Sequence, residues 1–462
     1  MKKIVILGAA VALAAVSCAE PEVVDGTLYE KQAFAAWMSQ YGPSDAALQP
    51  NGMYVEVLEE GDPTDRGGAT ADADVWVRLN YTSTTLSGEV YATRSEEVAL
   101  RQGIYTPHTY YVPDFLYCGA ENVSMIEGRY YALKNPLTVS YGGSPIKLYK
   151  GSKVRLYMPS TLAYGTSGYS DDQGYGGQFP LDASRPIIET LEVVEVLEDP
   201  IALEESLVKD LAEKPVAEGG WGLTEANLLP KSEAEIEAAA EDDDTENDGK
   251  YFEHFYIDSM YRAAEAVPFD KTQLLTVDST ARIWYVQKFL PKGAGGEGFI
   301  TETNIKEVYD RFYNRQKGYE AEANSAVGTV VTYTPTDDKS NRIPAWYDMI
   351  PKMRRGRWYR VVFSSAYGYG ASGHSSAMEA NQAYYNYYMQ MMMNSYLYNN
   401  SSSYYGDSYY NNYYNPYYSG MSYLSTSTDE DTPEVITEVQ PYTPMVIEVY
   451  IEPKDTQGIS YY

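Results

Sequence analysis

Two loops of the sequence each place a tyrosine before a glycine, and these tyrosines are candidates for contact with a ligand. Tyr164-Gly165 lies in the stretch Gly151–Gly168, and Tyr369-Gly370 lies in the similar stretch Gly356–Gly373. A tyrosine in a loop at the rim of a sheet offers an aromatic face and one hydroxyl group, and ligand-contacting residues often collect in such loops. The chemistry indicated is the holding of a ligand, without covalent bond formation.

No other constellation of reactive residues competes with these loops. The three histidines, His108, His254 and His374, are scattered without ligand spacing, and no glycine-rich phosphate loop precedes a helix. We therefore predict no metal ion and no cofactor.

One acidic run is a candidate calcium-binding loop. Counted from Asp244, it offers oxygen ligands at alternate positions and Gly249 at the sixth, but Phe255 stands where a closing glutamate is needed. The alternative is a solvated acidic linker, and Gly249 is also explained as the turn into a strand.

Each Tyr-Gly loop follows a strand whose apolar residues fall at every second position, which is typical of a strand with one buried face. These residues are Val154, Leu156 and Met158 in the first copy, and Tyr359, Val361 and Phe363 in the second. The two similar stretches are separated by far more residues than one solenoid repeat contains, since solenoid repeats have periods of about 20–50 residues. The separation therefore indicates two copies of one domain.

Further elements recur in the same order in both copies. The first copy has a helix from a capping box at Thr27 and Glu30 to about Tyr41, strands at Gly52–Leu58, Asp74–Tyr81 and Gly88–Tyr91, a short helix at Ser95–Gln102, and a last strand at Pro186–Leu197. The second has a leading helix at Ser232–Ala240, strands at Gly249–Glu253, Ala281–Tyr285 and Gly296–Phe299, and a last strand at Pro444–Glu452.

The glycine turn, the alternating strand and the loops Ala163-Tyr164-Gly165 and Gly368-Tyr369-Gly370 resemble those of FKBP-type peptidyl-prolyl cis-trans isomerases, and Ala371–His374 continues the pattern. The resemblance implies an α+β fold with two FKBP-like domains, each a curled antiparallel sheet wrapped over a short helix. The implied domains are 27–200 and 230–455, with a linker at 201–229.

The resemblance also implies the chemistry. Rotation about an Xaa–Pro bond breaks amide resonance against a barrier of about 18–20 kcal/mol, so uncatalysed isomerisation takes tens of seconds. Catalysis needs an apolar pocket that favours the twisted amide, with a few donors for the substrate carbonyls, and it needs no nucleophile.

The family positions of the pocket map onto both copies. In the second copy Trp346 corresponds to the floor of the pocket, and the backbone amide of Ile343 to the donor that meets the substrate carbonyl. The alternative for each aromatic residue is plain core packing. The predicted pocket residues are Tyr81, Tyr91, Ile126 and Tyr164 in the first copy, and Tyr285, Phe299, Ile343, Trp346, Tyr369, Val439 and Ile447 in the second.

Both copies depart from the family pattern. The aspartate that follows the pocket aromatic in the family is aligned with Ala92 in the first copy and Ile300 in the second. The first copy has Arg129-Tyr130 where the floor tryptophan is expected, and Glu189 near a closing-strand aromatic. A carboxylate that faces an apolar pocket is costly, so either Glu189 points outward or the first pocket is altered.

Residues 375–437 interrupt the second copy between its Tyr-Gly loop and its last strand. The segment is rich in Tyr, Asn and Ser, with pairs such as Tyr384-Tyr385 and Tyr404-Tyr405, and it is poor in Val, Ile and Leu. Such a composition cannot build a core, which favours a low-complexity insert, and an aromatic recognition arm for proteins or glycans is the alternative.

The N-terminus resembles that of a bacterial, Bacteroidetes-like lipoprotein. Lys2 and Lys3 precede a short apolar run and small residues, so residues 1–17 are predicted to be a signal peptide, with Cys18 lipidated and 18–26 a tether. The alternative is an ordinary secretory signal with an incidental Cys18. Lipidation would leave Cys118 as the remaining thiol and would place the protein at the outer membrane, facing the periplasm or the cell surface.

Composition narrows the partners. The formal net charge of −30 argues against nucleic acid and against anionic membrane surfaces, so we expect membrane contact through the lipid anchor only. Two functions remain: a lipid-anchored prolyl isomerase and chaperone for exported, prolyl-containing polypeptides, or a non-catalytic FKBP-like module that binds a cell-surface partner or ligand.

Overall fold

A computed structural model describes the chain at residues 26–63, 75–107, 109–119, 125–139, 143–166, 168, 181–236, 249–291, 297–313, 326–338, 342–375 and 438–454. The predicted signal peptide, Cys18, most of the tether, the acidic run and most of the insert 375–437 lie outside these residues. Within them, no helix is both long and apolar enough to cross a membrane.

The first sheet is antiparallel, with the strand order β1-β2-β6-β7-β3-β4 and with β5 paired to β3. The accompanying helices are α1 (Gly26–Tyr41), α2 (Glu96–Gln102) and α3 (Glu127–Lys134). The strands are β1 (Ala47–Leu48), β2 (Tyr54–Glu59), β3 (Val75–Thr85), β4 (Val90–Thr93), β5 (Asp114–Cys118), β6 (Lys153–Met158) and β7 (Ile187–Leu197).

The second sheet has the order β8-β9-β13-β16-β10-β11, with β12 paired to β10, and is antiparallel as well. Its strands are β8 (Leu228–Pro230), β9 (Tyr251–Asp258), β10 (Ala281–Phe289), β11 (Ile300–Thr303), β12 (Val331–Tyr333), β13 (Arg357–Phe363) and β16 (Met445–Ile451). Its helices are α4 (Pro200–Glu213), α5 (Lys306–Tyr313), α6 (Pro335–Asp338) and α7 (Pro344–Met349), and β14 (His374–Ser375) pairs with β15 (Glu438–Val439) as a separate ribbon.

The two sheets have the same topology, strand for strand. In each, the long central strand pairs with the last strand on one side and with a short strand on the other, and β5 and β12 occupy the same place. The predicted α+β class with two antiparallel sheets and few helices is confirmed. The alternating residues of β6, β13, β7 and β16 point inward, so each sheet buries one face against its own short helix, α3 or α7.

Local sequence signals explain where the short helices begin and end. The side chain of Ser95 accepts a hydrogen bond from the amide of Val98 at the start of α2. At its end Gly103 has φ of 73°, in the left-handed region that glycine adopts without steric cost, and its amide bonds back to the last turn.

The segment 201–229, predicted to be a linker, instead contributes helix α4, which packs on the second sheet. Val208 and Ala212 are buried against Tyr256, Val362 and Val446. In the first repeat α1 buries Phe34 and Met38 with the same four-residue spacing. Helix α4 is therefore the counterpart of α1.

The leading helix predicted at Ser232–Ala240 is accordingly wrong as that counterpart, although residues 233–236 are helical. Helix α4 lies two residues after the last strand of the first repeat. Its Glu- and Ala-rich sequence is also typical of a connection between domains.

The two repeats are in direct contact. Tyr110 of the first lies 4.8 Å from Phe289 and 4.7 Å from Phe299 of the second, between ring centres. The amide of Phe115 donates to Oε1 of Gln440 at 3.0 Å. The turn after β15 thus lies against the first repeat.

Candidate functional site

The second candidate pocket is built around α7 and the inner face of the second sheet. All seven predicted residues either belong to one core (Tyr285, Ile343, Trp346, Val439, Ile447) or pack against it (Phe299, Tyr369). Trp346 is 1% exposed, and its indole Nε1 donates to Oε1 of Gln287 at 3.0 Å. Its ring meets that of Tyr285 edge to face, at 4.9 Å between centres. Trp346 is therefore a buried aromatic residue whose polar atom has a partner, at the position that the family resemblance assigns to the floor of the pocket.

The start of α7 places backbone groups beside this floor. Ile343 is the N-cap, with φ −57° and ψ 148°, and Pro344 follows at the first helical position. The first amides of a helix have no partner within the helix, and proline has no N–H, so a helix that begins this way presents few donors. The amide of Ile343 lies at this end of α7.

A charged pair lies beside the floor. Nη1 of Arg342 donates to Oε1 of Glu302 at 3.0 Å and to the hydroxyl of Tyr285 at 3.2 Å, and the Tyr285 hydroxyl donates to Glu302. The guanidinium lies 5.4 Å from the ring centre of Trp346, within range of a cation–π contact.

Protonation states follow from these contacts. Burial raises the pKa of the Tyr285 hydroxyl well above its usual value, and Arg342 only partly opposes this effect. Burial lowers the pKa of Arg342, but Tyr285 and Glu302 outweigh burial and leave that pKa raised. At neutral pH Tyr285 is thus a neutral donor that is already committed to Glu302, and Arg342 is charged.

Strand pairing corrects the alignment of the second acidic position. Gln287 of β10 faces Glu302 in the way that Ser83 of β3 faces Ala92. The counterpart of Ala92 is therefore Glu302, and the predicted alignment with Ile300 is wrong. Two further equivalences follow: Ile300 corresponds to Val90, and Thr301 to Tyr91.

Phe299 accordingly does not occupy the position of Tyr91. Its ring stacks on Phe289 at 6.1 Å and meets Phe312 edge to face at 5.1 Å, and Tyr110 of the first repeat covers it. The glycine-rich sequence before β11 favours an alignment two residues too early, because the connection between the paired strands is longer in the second repeat. There β10 ends at Phe289 and β11 begins at Ile300, whereas β3 ends at Thr85 and β4 begins at Val90.

Tyr369 is partly buried and packs against the core that contains Trp346. It follows the 3₁₀ turn Ser365–Tyr367 and precedes Gly370, which has φ of 64°. The carbonyl of Gly370 accepts a hydrogen bond from the amide of Tyr442 at 3.1 Å. Tyr164 holds the matching place in the first repeat, after the turn Ser160–Leu162 and before Gly165 at φ 59°.

The first pocket has a different floor. Helix α3 begins after Ile126, whose backbone angles match those of Ile343, so Arg129 holds the position of Trp346. Nε and Nη2 of Arg129 donate to the two oxygens of Glu189 at 2.9 and 2.8 Å, and Ser83 donates to the same carboxylate at 2.8 Å. Glu189 is 0% exposed. It lies between β3 and β6 in the first sheet, as Ile447 lies between β10 and β13 in the second, so the two residues hold equivalent positions. Of the two possibilities for Glu189, the altered pocket is the correct one.

The predicted residues of the first pocket surround this ion pair. Tyr81 and Tyr91 are buried, and Ile126 and Tyr164 pack against the same core. The guanidinium of Arg129 lies 4.1 Å from the ring centre of Tyr81. The Tyr81 hydroxyl donates to Asp114 at 2.8 Å, and Arg94 forms an ion pair with that carboxylate. Burial, assisted by Asp114, raises the pKa of Tyr81.

Sequence reasoning did not assign Asp114, Glu302 or Arg342 to a pocket. Asp114 and Glu302 play the same part from different strands, since each accepts a hydrogen bond from the hydroxyl of the first pocket tyrosine, Tyr81 or Tyr285. Arg342 directly precedes Ile343, and this position next to a predicted pocket residue is the signal in the sequence. Among the described residues no group of three His, Cys, Asp or Glu side chains is placed to hold a metal ion.

No protein-family model matches the sequence, and no curated protein matches it. Among solved structures, the chain is similar to a peptidyl-prolyl cis-trans isomerase from Pseudomonas syringae pv. tomato, with 19% identity over 39% of this chain and 99% of that chain, at a TM-score of 0.26. For FkpA from Escherichia coli the identity is 19% over 42% of this chain and 70% of that one, with a TM-score of 0.25. For the N-terminal domain of FKBP42 from Arabidopsis thaliana it is 13%, over 34% and 94%, with a TM-score of 0.23.

Proposed function

We propose that the second pocket catalyses cis–trans isomerisation of Xaa–Pro bonds. The observation that carries this proposal is the buried Trp346, three residues after the Ile343 N-cap, in a core against which Tyr369 packs. An apolar floor excludes water from the amide, and water stabilises the planar ground state more than the twisted transition state.

The residues divide the work between floor and rim. Tyr285 is committed to Glu302, so its contribution is the aromatic wall it forms with Trp346. The amide of Ile343 and the hydroxyl of Tyr369 are the donors that hold substrate carbonyls. None of these groups forms a covalent bond with the substrate, and the reaction requires none.

A second candidate function, non-catalytic binding, is favoured for the first pocket. The buried ion pair of Arg129 and Glu189 places two full charges where the prolyl ring would need an apolar surface. A charged floor cannot favour the twisted amide by excluding water. The first repeat then serves as a binding module for a polypeptide or another cell-surface ligand.

The cellular setting is part of the proposal. The N-terminal signal and Cys18 support a lipid-anchored protein at the outer membrane that acts on exported, prolyl-containing polypeptides, facing the periplasm or the cell surface. The strong negative charge supports contact with the membrane through the anchor only, and no nucleic acid partner.

The test compares two matched substitutions in the full chain from residue 19 onward. Tyr369→Phe and Tyr164→Phe each remove one hydroxyl and leave the ring. With an Xaa–Pro peptide, we expect Tyr369→Phe to lower kcat/KM several-fold, for a loss of about 1 kcal/mol, and Tyr164→Phe to leave it unchanged. A wild-type chain that is folded but no faster than the uncatalysed reaction would support the binding module for both pockets.

A further inference from the structure

Helix α4 carries a buried carboxylate that lies outside both pockets. Glu204 in α4 is 4% exposed, and among the described residues no lysine or arginine forms an ion pair with it. A buried carboxylate without an ion-pair partner is destabilising, so its hydrogen bonds must replace the contacts with water that it loses on burial.

Both oxygens of Glu204 bind one residue. The amide of Ser365 donates to Oε2 at 3.0 Å, and its hydroxyl donates to Oε1 at 2.9 Å. Ser365 begins the 3₁₀ turn that leads into the rim loop, and its carbonyl in turn accepts the amide of Gly368 at 2.8 Å. Tyr369 is the next residue, so the carboxylate of α4 is connected to the rim tyrosine through one turn of backbone.

The same arrangement recurs in the first repeat. There the amide and the hydroxyl of Ser160 donate to Glu30 of α1 at 3.0 and 3.1 Å, and Tyr164 follows after an identical turn. Two helices that differ in sequence thus provide the same contact to the same point of the loop. Packing of α1 and α4 requires only apolar residues, so the shared glutamate has a separate role.

We infer that Glu204 is a positioning residue of the second pocket, which fixes Tyr369 at the rim by anchoring Ser365, and that α4 is part of the site. The hydroxyl of Tyr369 can donate a hydrogen bond to a substrate carbonyl only if the position of Tyr369 relative to Trp346 is fixed. The turn Ser365–Tyr367 alone is a single turn of 3₁₀ helix, which is weakly stable without further support.

The test uses the full chain from residue 19 onward and three substitutions. Glu204→Met keeps the length of the side chain and removes both acceptors. Glu204→Gln retains the anchor, because its oxygen accepts the Ser365 amide and its amide group donates to the Ser365 hydroxyl. Glu30→Met makes the same change in the first repeat and is the matched control.

Two measurements are made on each variant: amide hydrogen exchange of residues 364–370, and kcat and KM with an Xaa–Pro peptide. For Glu204→Met we expect exchange in this segment to rise about tenfold, and KM to rise several-fold with kcat within about twofold of the wild type. Glu204→Gln should remain close to the wild type. Glu30→Met should raise exchange at residues 159–165 and leave KM unchanged.

The kinetic measurement rests on the proposed function, and the exchange measurement does not. If the wild-type chain shows no isomerase activity, the proposed function fails, and the exchange of residues 364–370 alone decides on the positioning role. That role is overturned if Glu204→Met raises exchange evenly over the whole second repeat, or leaves the rim loop as protected as before.

Discussion

Arg129 and Glu189 form a buried, two-hydrogen-bond ion pair at the positions that Trp346 and Ile447 occupy in the second repeat. The two exchanges are compatible only together, because either charge alone would be buried without a partner. One floor is thus apolar and the other ionic on the same backbone, and this difference separates the functions we propose for the two pockets.

The ion pair predicts that substitutions at positions 129 and 189 have strongly coupled effects on the free energy of unfolding. Arg129→Trp leaves Glu189 buried and unpaired, and Glu189→Ile does the same to Arg129, so each should lower the free energy of unfolding by about 3–5 kcal/mol. The double variant should lose clearly less than the sum, as urea unfolding can show. Arg155→Met, which breaks the half-exposed pair with Glu56, should cost about 1 kcal/mol or less. Additive effects at 129 and 189 would contradict the interpretation of these residues as one unit.

Trp346→Leu should lower kcat/KM at least tenfold, because the floor of the second pocket loses its flat aromatic surface. It should also cost about 3 kcal/mol of stability, at the lower end for a truncated buried tryptophan. Trp358, 4% exposed on the other face of the sheet, provides the control. Trp358→Leu should cost similar stability and leave kcat/KM unchanged, and equal losses of activity in both variants would show that only folding was affected.

Glu448 predicts a specific loss of stability in acid. Burial raises the pKa of this carboxyl, but Lys288, whose Nζ lies 2.6 Å away, outweighs burial and leaves the pKa below its usual value of 4.5. A lowered folded-state pKa contributes stability above pH 4.5 that is lost as the pH falls through the folded value. Glu448→Gln should therefore cost about 2 kcal/mol at pH 7 and progressively less below pH 4.5, measured by denaturant unfolding.

The control for this prediction is Glu97, which is exposed and lies 4.0 Å from Arg101. At pH 7, Glu97→Gln should change the free energy of unfolding by about 0.5 kcal/mol or less, as expected for an exposed pair. A constant cost of Glu448→Gln from pH 7 to pH 3 would show that the ion pair with Lys288 does not carry this stability.

Deletion of residues 376–437 should leave the rest of the chain folded. The insert begins and ends in the ribbon of β14 and β15, where His374 pairs with Val439. Replacement of the insert by an Asn-Gly turn should leave the unfolding free energy within about 1 kcal/mol of the wild type, since a tight turn suits an antiparallel pair. The change should appear in the relative kcat/KM of different Xaa–Pro peptides, and an unfolded deletion variant would contradict this prediction.

On the proposed lipid anchor, Cys18→Ser should release the protein from the membrane fraction of the cells that produce it, because the lipid would be attached to this cysteine. Cys118, which is buried in the first core, is the control thiol. Cys118→Ala should remain with the membranes, as fractionation and immunoblotting can show. Equal membrane association of the Cys18 variant would argue for another mode of attachment.

Strand periodicity predicted the buried faces of β6 and β13, because the alternation of Val154, Leu156 and Met158, and of their counterparts, is a local property of the sequence. The resemblance to a family predicted Trp346, Tyr285 and Ile447 as pocket residues, and the structure places them in one core. The ion pair of Arg129 and Glu189 was not predicted, although both residues were noted as departures, because their contact joins positions 60 apart.

Helix α4 was missed for a different reason. A helix that follows a strand after two residues has no local signal that assigns it to the next sheet. The longer connection between β10 and β11 likewise shifted Phe299 and Ile300 out of register, since the strands that a loop joins do not fix its length.

Only Glu198 and Asp199 separate the end of β7 from the start of α4, and both flanking elements are packed on their own sheets. The span between the two pockets is therefore set by rigid elements and by the contacts of Tyr110 and Gln440. For a polypeptide that contacts both pockets, the effective concentration of the second pocket is then fixed by geometry, without the dilution that a flexible linker causes. Avidity in this protein would depend on the spacing of binding segments along the client chain, and clients with the wrong spacing would bind as if one pocket were absent.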